Sequence, residues 1–184
     1  MEMTWLTFIN SFWTDWRGRD KGRDRLEEEE WFRTFLEKGN IKLNEPYTSE
    51  LVEDLKHVRH EMSEVVRRLV NEELIRKEDM LKMNQWLAQG TYIRQIEQKE
   101  NQFELITLPL DSSLAQLKAQ IIASFVEALV EGQYKRIKIC DNPDCRWVYY
   151  DTTKNRSKRF CDDKTCGNLM KVRRHRAQKK ASDL

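Results

Sequence analysis

From residue 49 to about 76, apolar side chains fall at alternating steps of four and three: Leu51, Leu55, Val58, Met62, Val65 and Leu69. That spacing keeps them on one face of a helix. Val52, Val66, Val70 and Leu74 widen the stripe beyond a coiled-coil seam, so the pattern predicts a long helix inside a bundle rather than a free zipper.

The same reading orders the rest of the first 132 residues. In the aromatic-rich region 3–47, Trp5, Phe8, Ile9, Phe12 and Trp13 recur at helical spacing and predict a core helix. The run RGRDKGRD, with two glycines and many charges, reads as a loop. Asp24 with Glu27 resembles a capping box opening a helix over about 25–37, with Leu26, Trp31, Phe32, Phe35 and Leu36 inward and Gly39 as its stop. Leu81, Trp86, Leu87, Ile93 and Ile96 predict a helix over about 79–98, interrupted near Gly90. FELITLPL alternates weakly and predicts a strand ending at Pro109. Ser113 and Gln116 then cap a helix carrying Leu117, Ile121, Phe125 and Leu129, closed by Gly132.

The tail follows different rules. YKRIKIC and RWVYYD are short β-prone pieces around CDNPDC, where Asn142-Pro143 favours a tight turn. TTKNRS supplies a second turn, and a helix is predicted from about Thr165 onward. The expected fold is mainly α: an acidic helical domain over 1–132, then a small β-hairpin plus helix tied by cysteines over 133–184, in a treble-clef-like arrangement.

Charge sharpens that division. From Gln133 onward there are 15 Lys or Arg against 6 Asp or Glu, a net of +9, while the preceding residues carry 18 against 25, a net of −7. Four thiolates on one zinc ion would leave the tail near +7. An acidic body carrying a basic module points to a polyanionic partner, although solvation explains part of such a bias. The polar, acidic start and the lack of any long apolar run predict neither an export signal nor a membrane span, hence a cytoplasmic protein.

All four cysteines lie in the tail, as Cys140-x4-Cys145-x15-Cys161-x4-Cys166. Two pairs separated by a hairpin-sized gap can set four sulfurs tetrahedrally around zinc, a geometry the ion accepts freely. Disulfides are the alternative, but a reducing compartment disfavours them, and no Cys-x-x-Cys redox pair is present. Four thiolates leave no open coordination position, so such a zinc would be structural. Few apolar residues surround it: Ile137, Ile139, Trp147, Val148, Tyr149, Phe160, Leu169 and Val172. Metal binding should therefore supply much of the module's folding free energy.

CDNPDC, VYYD, NRSKRFC and TCGN followed by KVRRHR resemble the zinc finger named for its Cys-Gly-Asn-Arg signature, the CGNR finger, found at the C-terminus of bacterial stress-induced transcriptional regulators. The matching positions are Cys140, Pro143, Cys145, Tyr150, Asp151, Asn155, Ser157, Arg159, Cys161, Cys166, Gly167, Asn168, Lys171, Arg173 and Arg176. Leu169 stands where the signature has arginine, a departure that leaves the finger intact but alters one candidate phosphate contact. Upstream, FINSFWTDWRG resembles the Phe-x-Asn-Thr start of the family's helical, ABATE-type domain, with Phe8, Asn10 and Ser11 in its place. The resemblance implies a sensing or assembly role for that domain and names no effector.

Arg156, Lys158 and Arg159 precede the third cysteine, while Lys171, Arg173, Arg174, Arg176, Lys179 and Lys180 follow the fourth. On a helix, Leu169, Val172 and Arg176 are expected to face the finger, with Arg173 exposed. These cations are the candidate nucleic-acid contacts; the alternative is a solvated basic terminus. Duplex DNA is the expected partner. An RNA- or ribosome-associated role, or an adaptor whose finger is only a fold staple, stands as the alternative. Homodimerisation through the Leu51–Leu69 seam is a further option. His57 and Glu61, like His60 and Glu64, read as solvated helix pairs before a second metal site. Trp5, Trp13, Trp16, Trp31 and Trp86 read as core before pocket, with Asn10 and Arg17 the polar groups of a candidate ligand pocket. No phosphate-binding glycine loop, nucleophile elbow or His-Glu-x-x-His is present, and no catalysis is expected.

Overall fold

The computed structural model describes residues 4–130 and 134–182. Five helices build the body: α1 (Thr4–Ile9), α2 (Glu29–Lys38), α3 (Ser49–Val70), α4 (Lys77–Leu87) and α5 (Leu114–Val130). Between them come a two-residue pair, β1 (Phe12–Trp13) with β2 (Arg23–Asp24), and a long hairpin, β3 (Tyr92–Lys99) with β4 (Gln102–Pro109). The tail adds the antiparallel pair β5 (Ile137–Ile139) and β6 (Val148–Tyr150), then α6 (Asn168–Ser182). The chain is thus a mainly helical body followed by a β-hairpin and helix around the cysteines.

The α3 stripe buries Leu51, Leu55, Val58, Met62 and Val65 against Trp5, Phe8, Phe32, Phe35 and the α5 residues Leu117, Ile121 and Phe125. Trp5 packs on Phe125 and Trp31 on Phe35, with ring centroids 5.2 and 5.6 Å apart. These tryptophans are core rather than pocket, and the α3 seam is consumed within its own chain.

Four predicted elements change. The first helix stops at Ile9, because the Asn10 side chain turns back onto the Leu6 carbonyl and outward to β6; Phe12 and Trp13 become a strand. Asp24 caps a 3-10 turn over Arg25–Glu27, accepting from the Leu26 N–H at 3.1 Å, and α2 begins only at Glu29. The long helix ends at Val70, where Asn71 caps it and Glu72 adopts positive φ, leaving Leu74 exposed. The helix expected over 79–98 is α4 followed by strand β3. The capping of α5 by Ser113 stands, its Oγ accepting from the Gln116 N–H at 3.2 Å, whereas Gly132 lies outside the described residues.

Asp24 also locks the N-terminal loop to α3. Its carboxylate accepts two hydrogen bonds from Arg59, one at 2.6 Å, and Arg59 reaches the Ser11 hydroxyl at 2.7 Å. Burial pushes the Asp24 pKa up, but the Arg59 hydrogen bonds and charge outweigh it, and the net position is below the usual carboxylate value. Both groups are nearly buried, so Arg59→Met should lower unfolding stability by about 3–5 kcal/mol in urea titrations. A depressed carboxylate stabilises the fold above its unfolded pKa of about 3.9 and loses that contribution as pH falls through the folded value. The variant should therefore show a flatter stability profile in that acid window than the wild type.

Candidate metal centre

Cys140 closes β5, and its N–H donates to the Trp147 carbonyl at 2.9 Å. Asn142 then folds the chain into a knuckle: its carbonyl accepts from the N–H groups of Cys145 and Arg146 at 3.0 and 3.2 Å. Arg146 adopts positive φ to complete that turn. β6 leads away to Asp151, whose buried carboxylate accepts from the Thr153 N–H and hydroxyl and from the Lys158 N–H, all within 2.9 Å. Burial raises the Asp151 pKa, but these hydrogen bonds outweigh it and hold the carboxyl below its usual range. The loop so ordered returns to Cys161. Asp162 caps the wide turn Asp163–Gly167, accepting from the Thr165 N–H at 2.7 Å, and thereby sets Cys166 at the root of α6.

The four sulfurs lie within 4.8 Å of one another, with Cys145–Cys161 at 3.7 Å and Cys161–Cys166 at 3.8 Å. Tetrahedral zinc with bonds of about 2.3 Å requires sulfur separations of about 3.8 Å, so the cluster fits one zinc ion and is far too open for disulfides. Without a cation the sulfurs perturb one another. Thiols of Cys145 and Cys161 pull the Cys140 pKa down, while Cys140 pushes both of theirs up. Four thiolates at this distance need a cation between them. The Cys161 N–H points at the Cys140 sulfur at 3.4 Å, and the Asn142 amide points at the Cys166 sulfur at 3.3 Å. Such donors favour the thiolate form. Trp16, Trp147, Tyr149 and Phe160 jacket the cluster. No histidine joins it: among the described residues these cysteines form the one metal-capable group, and His57 instead meets the Trp86 ring.

The finger is built into the body. Ile137 and Val148 belong to the main hydrophobic core, and Asn10 grips β6 by donating to the Val148 carbonyl at 2.8 Å and accepting from its N–H at 2.9 Å. A strap over residues 14–18 then crosses the knuckle. The Thr14 hydroxyl donates to the Cys145 carbonyl at 2.6 Å, and the Asn142 amide donates to the Trp16 carbonyl at 2.8 Å. Asp15 holds the strap's turn through the N–H groups of Arg17 and Arg19, both at 3.0 Å. Gly18 takes φ of 74°, which favours glycine, and a Cβ there would lie 2.8 Å from the Asp144 carboxylate and push it aside.

The candidate cations separate on this frame. Arg173 is not the exposed contact expected: it pairs with Asp144 at 2.6 Å and donates to the Arg17 carbonyl at 3.0 Å, fastening α6 to knuckle and strap. Arg176 and Val172 are exposed rather than turned to the finger, because α6 leaves the cluster after its first turn, where Leu169 is half-buried. Lys171, Arg174, Arg176 and Lys179 stand in solvent. Arg159 pairs with Asp141 at 2.7 Å, and Lys158 lies over the Tyr149 ring. Arg156 lines a cleft of about 810 Å³ with Leu69, Leu129, Ile137 and Lys138.

Asn10 lines a cleft of about 240 Å³ with Phe12, Arg67, Arg146 and Trp147, and Arg17 is not among its lining residues. The Asn10 amide is used up on Leu6 and Val148, and the Arg17 guanidinium stacks on Trp16, 4.2 Å from the ring centre. Asp144 and Asp15 are the structural residues that sequence reading passed over, while Asn142 forms the turn read for it and also binds the strap. The Asp15-x-Arg17 spacing was a usable signal, since Asp side chains commonly accept from the N–H two residues on.

No helix among the described residues is long and apolar enough to cross a membrane. Residues 136–179 match the family described as "CGNR zinc finger", and residues 2–132 match the family described as "Putative stress-induced transcription regulator", ABATE. No curated protein matches the chain. The first description agrees with the four-cysteine cluster, and the second is that of a regulator family. With the second match spanning well over half of the sequence, the chain belongs to the ABATE family and carries a CGNR zinc finger at its C-terminal end.

Proposed function

We propose that this protein is a zinc-dependent, DNA-binding transcriptional regulator, with residues 133–184 as the binding unit and 1–132 as the unit that reports a signal to it. The observation that carries the reading is α6, whose 15 residues hold six Lys or Arg and no Asp or Glu. Among the described residues only Arg173 of these six has a carboxylate partner. A rigid helix about 22 Å long, basic around its circumference, suits a DNA groove flanked by phosphates. Zinc fixes its root, and the Arg173 clamp fixes its direction. Lys171, Arg174, Arg176 and Lys179 are the proposed contacts, flanked by Lys158, while Arg156 and Arg159 act at the edge. Leu169, in place of the signature arginine, shifts phosphate contact to these neighbours. The protein would work in the cytoplasm, on the nucleoid.

Duplex-DNA affinity measured over a salt series tests this. Lys171→Ala/Arg174→Ala should weaken binding and lower the log–log salt slope by roughly two, one for each lost phosphate contact. Arg173→Ala should weaken binding with little change of slope, because it aims the helix instead of neutralising phosphate. Unchanged affinity and slope in the double variant, with zinc retained, would refute the reading. Preferential binding to an RNA duplex of equal length would move the assignment to RNA.

A further inference from the structure

The β3–β4 hairpin is rooted firmly and then stands free. At its base the Thr91 N–H donates to the buried Gln116 side chain at 2.8 Å, and the Thr91 hydroxyl reaches Asp111 at 3.0 Å. Gly90 approaches α5 so closely that a Cβ there would lie 2.6 Å from the Ala119 methyl. Beyond the base, only Ile93 and Ile106 are even half-buried. A two-stranded hairpin is marginal in water on its own, so eight paired residues per strand standing in solvent need cover.

The register shows which face lacks it. Side chains alternate across a strand, so Tyr92, Arg94, Ile96 and Gln98 share a face with their partners Pro109, Thr107, Leu105 and Phe103. Ile96 is 72% exposed, Phe103 69%, Leu105 67% and Tyr92 42%. The opposite face is polar over its outer half, with Gln95, Glu97, Lys99, Gln102 and Glu104, and Lys99 pairs with Glu104 at 2.6 Å. One face is thus finished for water, and the other exposes Ile96, Leu105 and Phe103 together, with Tyr92 and Pro109 beyond the Arg94–Thr107 pair, an apolar surface of the kind that marks an interaction site.

We infer that this apolar face is a homodimer interface, two copies of the chain stacking their hairpins face to face. Three observations select a second copy as occupant. The hairpin and its turn hold Arg94 and Lys99 against Glu97, Glu100 and Glu104, an acidic balance that repels nucleic acid. The patch carries a single charge, Arg94, and a two-fold stack centred on Ile96 and Leu105 with the strands antiparallel sets it opposite the partner's Gln98, four residues from the partner's Arg94, so the one charge meets no like charge. Covering four such side chains on both copies buries on the order of 1,000 Å², about the least that holds a specific pair together. The α3 seam cannot serve, since it is buried at home.

Sedimentation velocity of the full-length, zinc-loaded protein over a wide concentration series is the test. Wild type should pass from monomer to dimer. Ile96→Lys and Leu105→Glu should remain monomeric with zinc content and helicity unchanged, because both side chains are exposed in the single chain. Glu97→Lys, on the opposite face, should dimerise like wild type. Phe103→Ser at the tip repeats the measurement without a new charge, should a charge disturb the strand. A wild type that stays monomeric throughout, or a dimer that the face variants leave intact, would overturn the assignment.

Discussion

Cys166→Ser should abolish zinc binding, release α6 and also weaken the helical body. The first effects follow from the site: a structural four-thiolate centre that lacks one ligand loses most of its affinity, and metal binding in such modules carries the folding free energy, about 10–16 kcal/mol in finger peptides. The third effect distinguishes this chain from a body with a detachable finger. Ile137 and Val148 are core residues of the body, so a disordered finger withdraws two aliphatic side chains from beside α3 and α1. At about 1.5–3 kcal/mol for each buried side chain, the remaining helices should lose about 3–6 kcal/mol. Elemental analysis should find one zinc per wild-type chain and almost none in the variant. Circular dichroism should show most helix retained, with an earlier urea midpoint. An unchanged midpoint after zinc loss would mean that the two parts fold independently.

A second large effect is expected at Asn10. Asn10→Leu preserves volume but strands the Val148 N–H and carbonyl, which both lie on the buried Asn10 side chain. Each unsatisfied buried polar group costs about 1–3 kcal/mol, so a loss of about 2–6 kcal/mol is expected. The informative readout is twofold. Urea unfolding should report the loss, and the Tyr149 and Val148 amide protons should exchange faster while those of α5 keep most of their protection. Asn10→Asp should do nearly as much harm, because a carboxylate accepts but cannot donate to the Val148 carbonyl.

These positions show where sequence reading reached and where it stopped. Helices α3 and α5 were legible because one buried face imposes a steady period, and the cysteines were legible because zinc demands four soft ligands at close range. β3 was misread, since Ile93 and Ile96 sit three apart and suit a helix, whereas in the strand they point to opposite faces. Its turn at Glu100 has no glycine to announce a hairpin, although Glu100 takes positive φ. The early end of α1 was hidden for another reason. What stops the helix at Ile9 is a partner 138 residues away, and no local pattern encodes that. Arg173 was likewise read as a solvent cation because its partner Asp144 lies in a different turn of the knuckle.

The Asn10–Val148 clasp bears on how the protein is made. The residue that terminates the first helix waits for a strand synthesised 138 residues later. At about 5–20 residues per second, that interval is roughly 7–28 s. Throughout it, the seats of Ile137 and Val148 against α1 and α3 stand open on the nascent body, and the Asn10 amide has only its own helix to bind. The body can collapse but cannot close until the cysteine-bearing segment leaves the ribosome and takes up its metal. Zinc supply during synthesis therefore decides how long each new chain exposes apolar surface to chaperones and proteases.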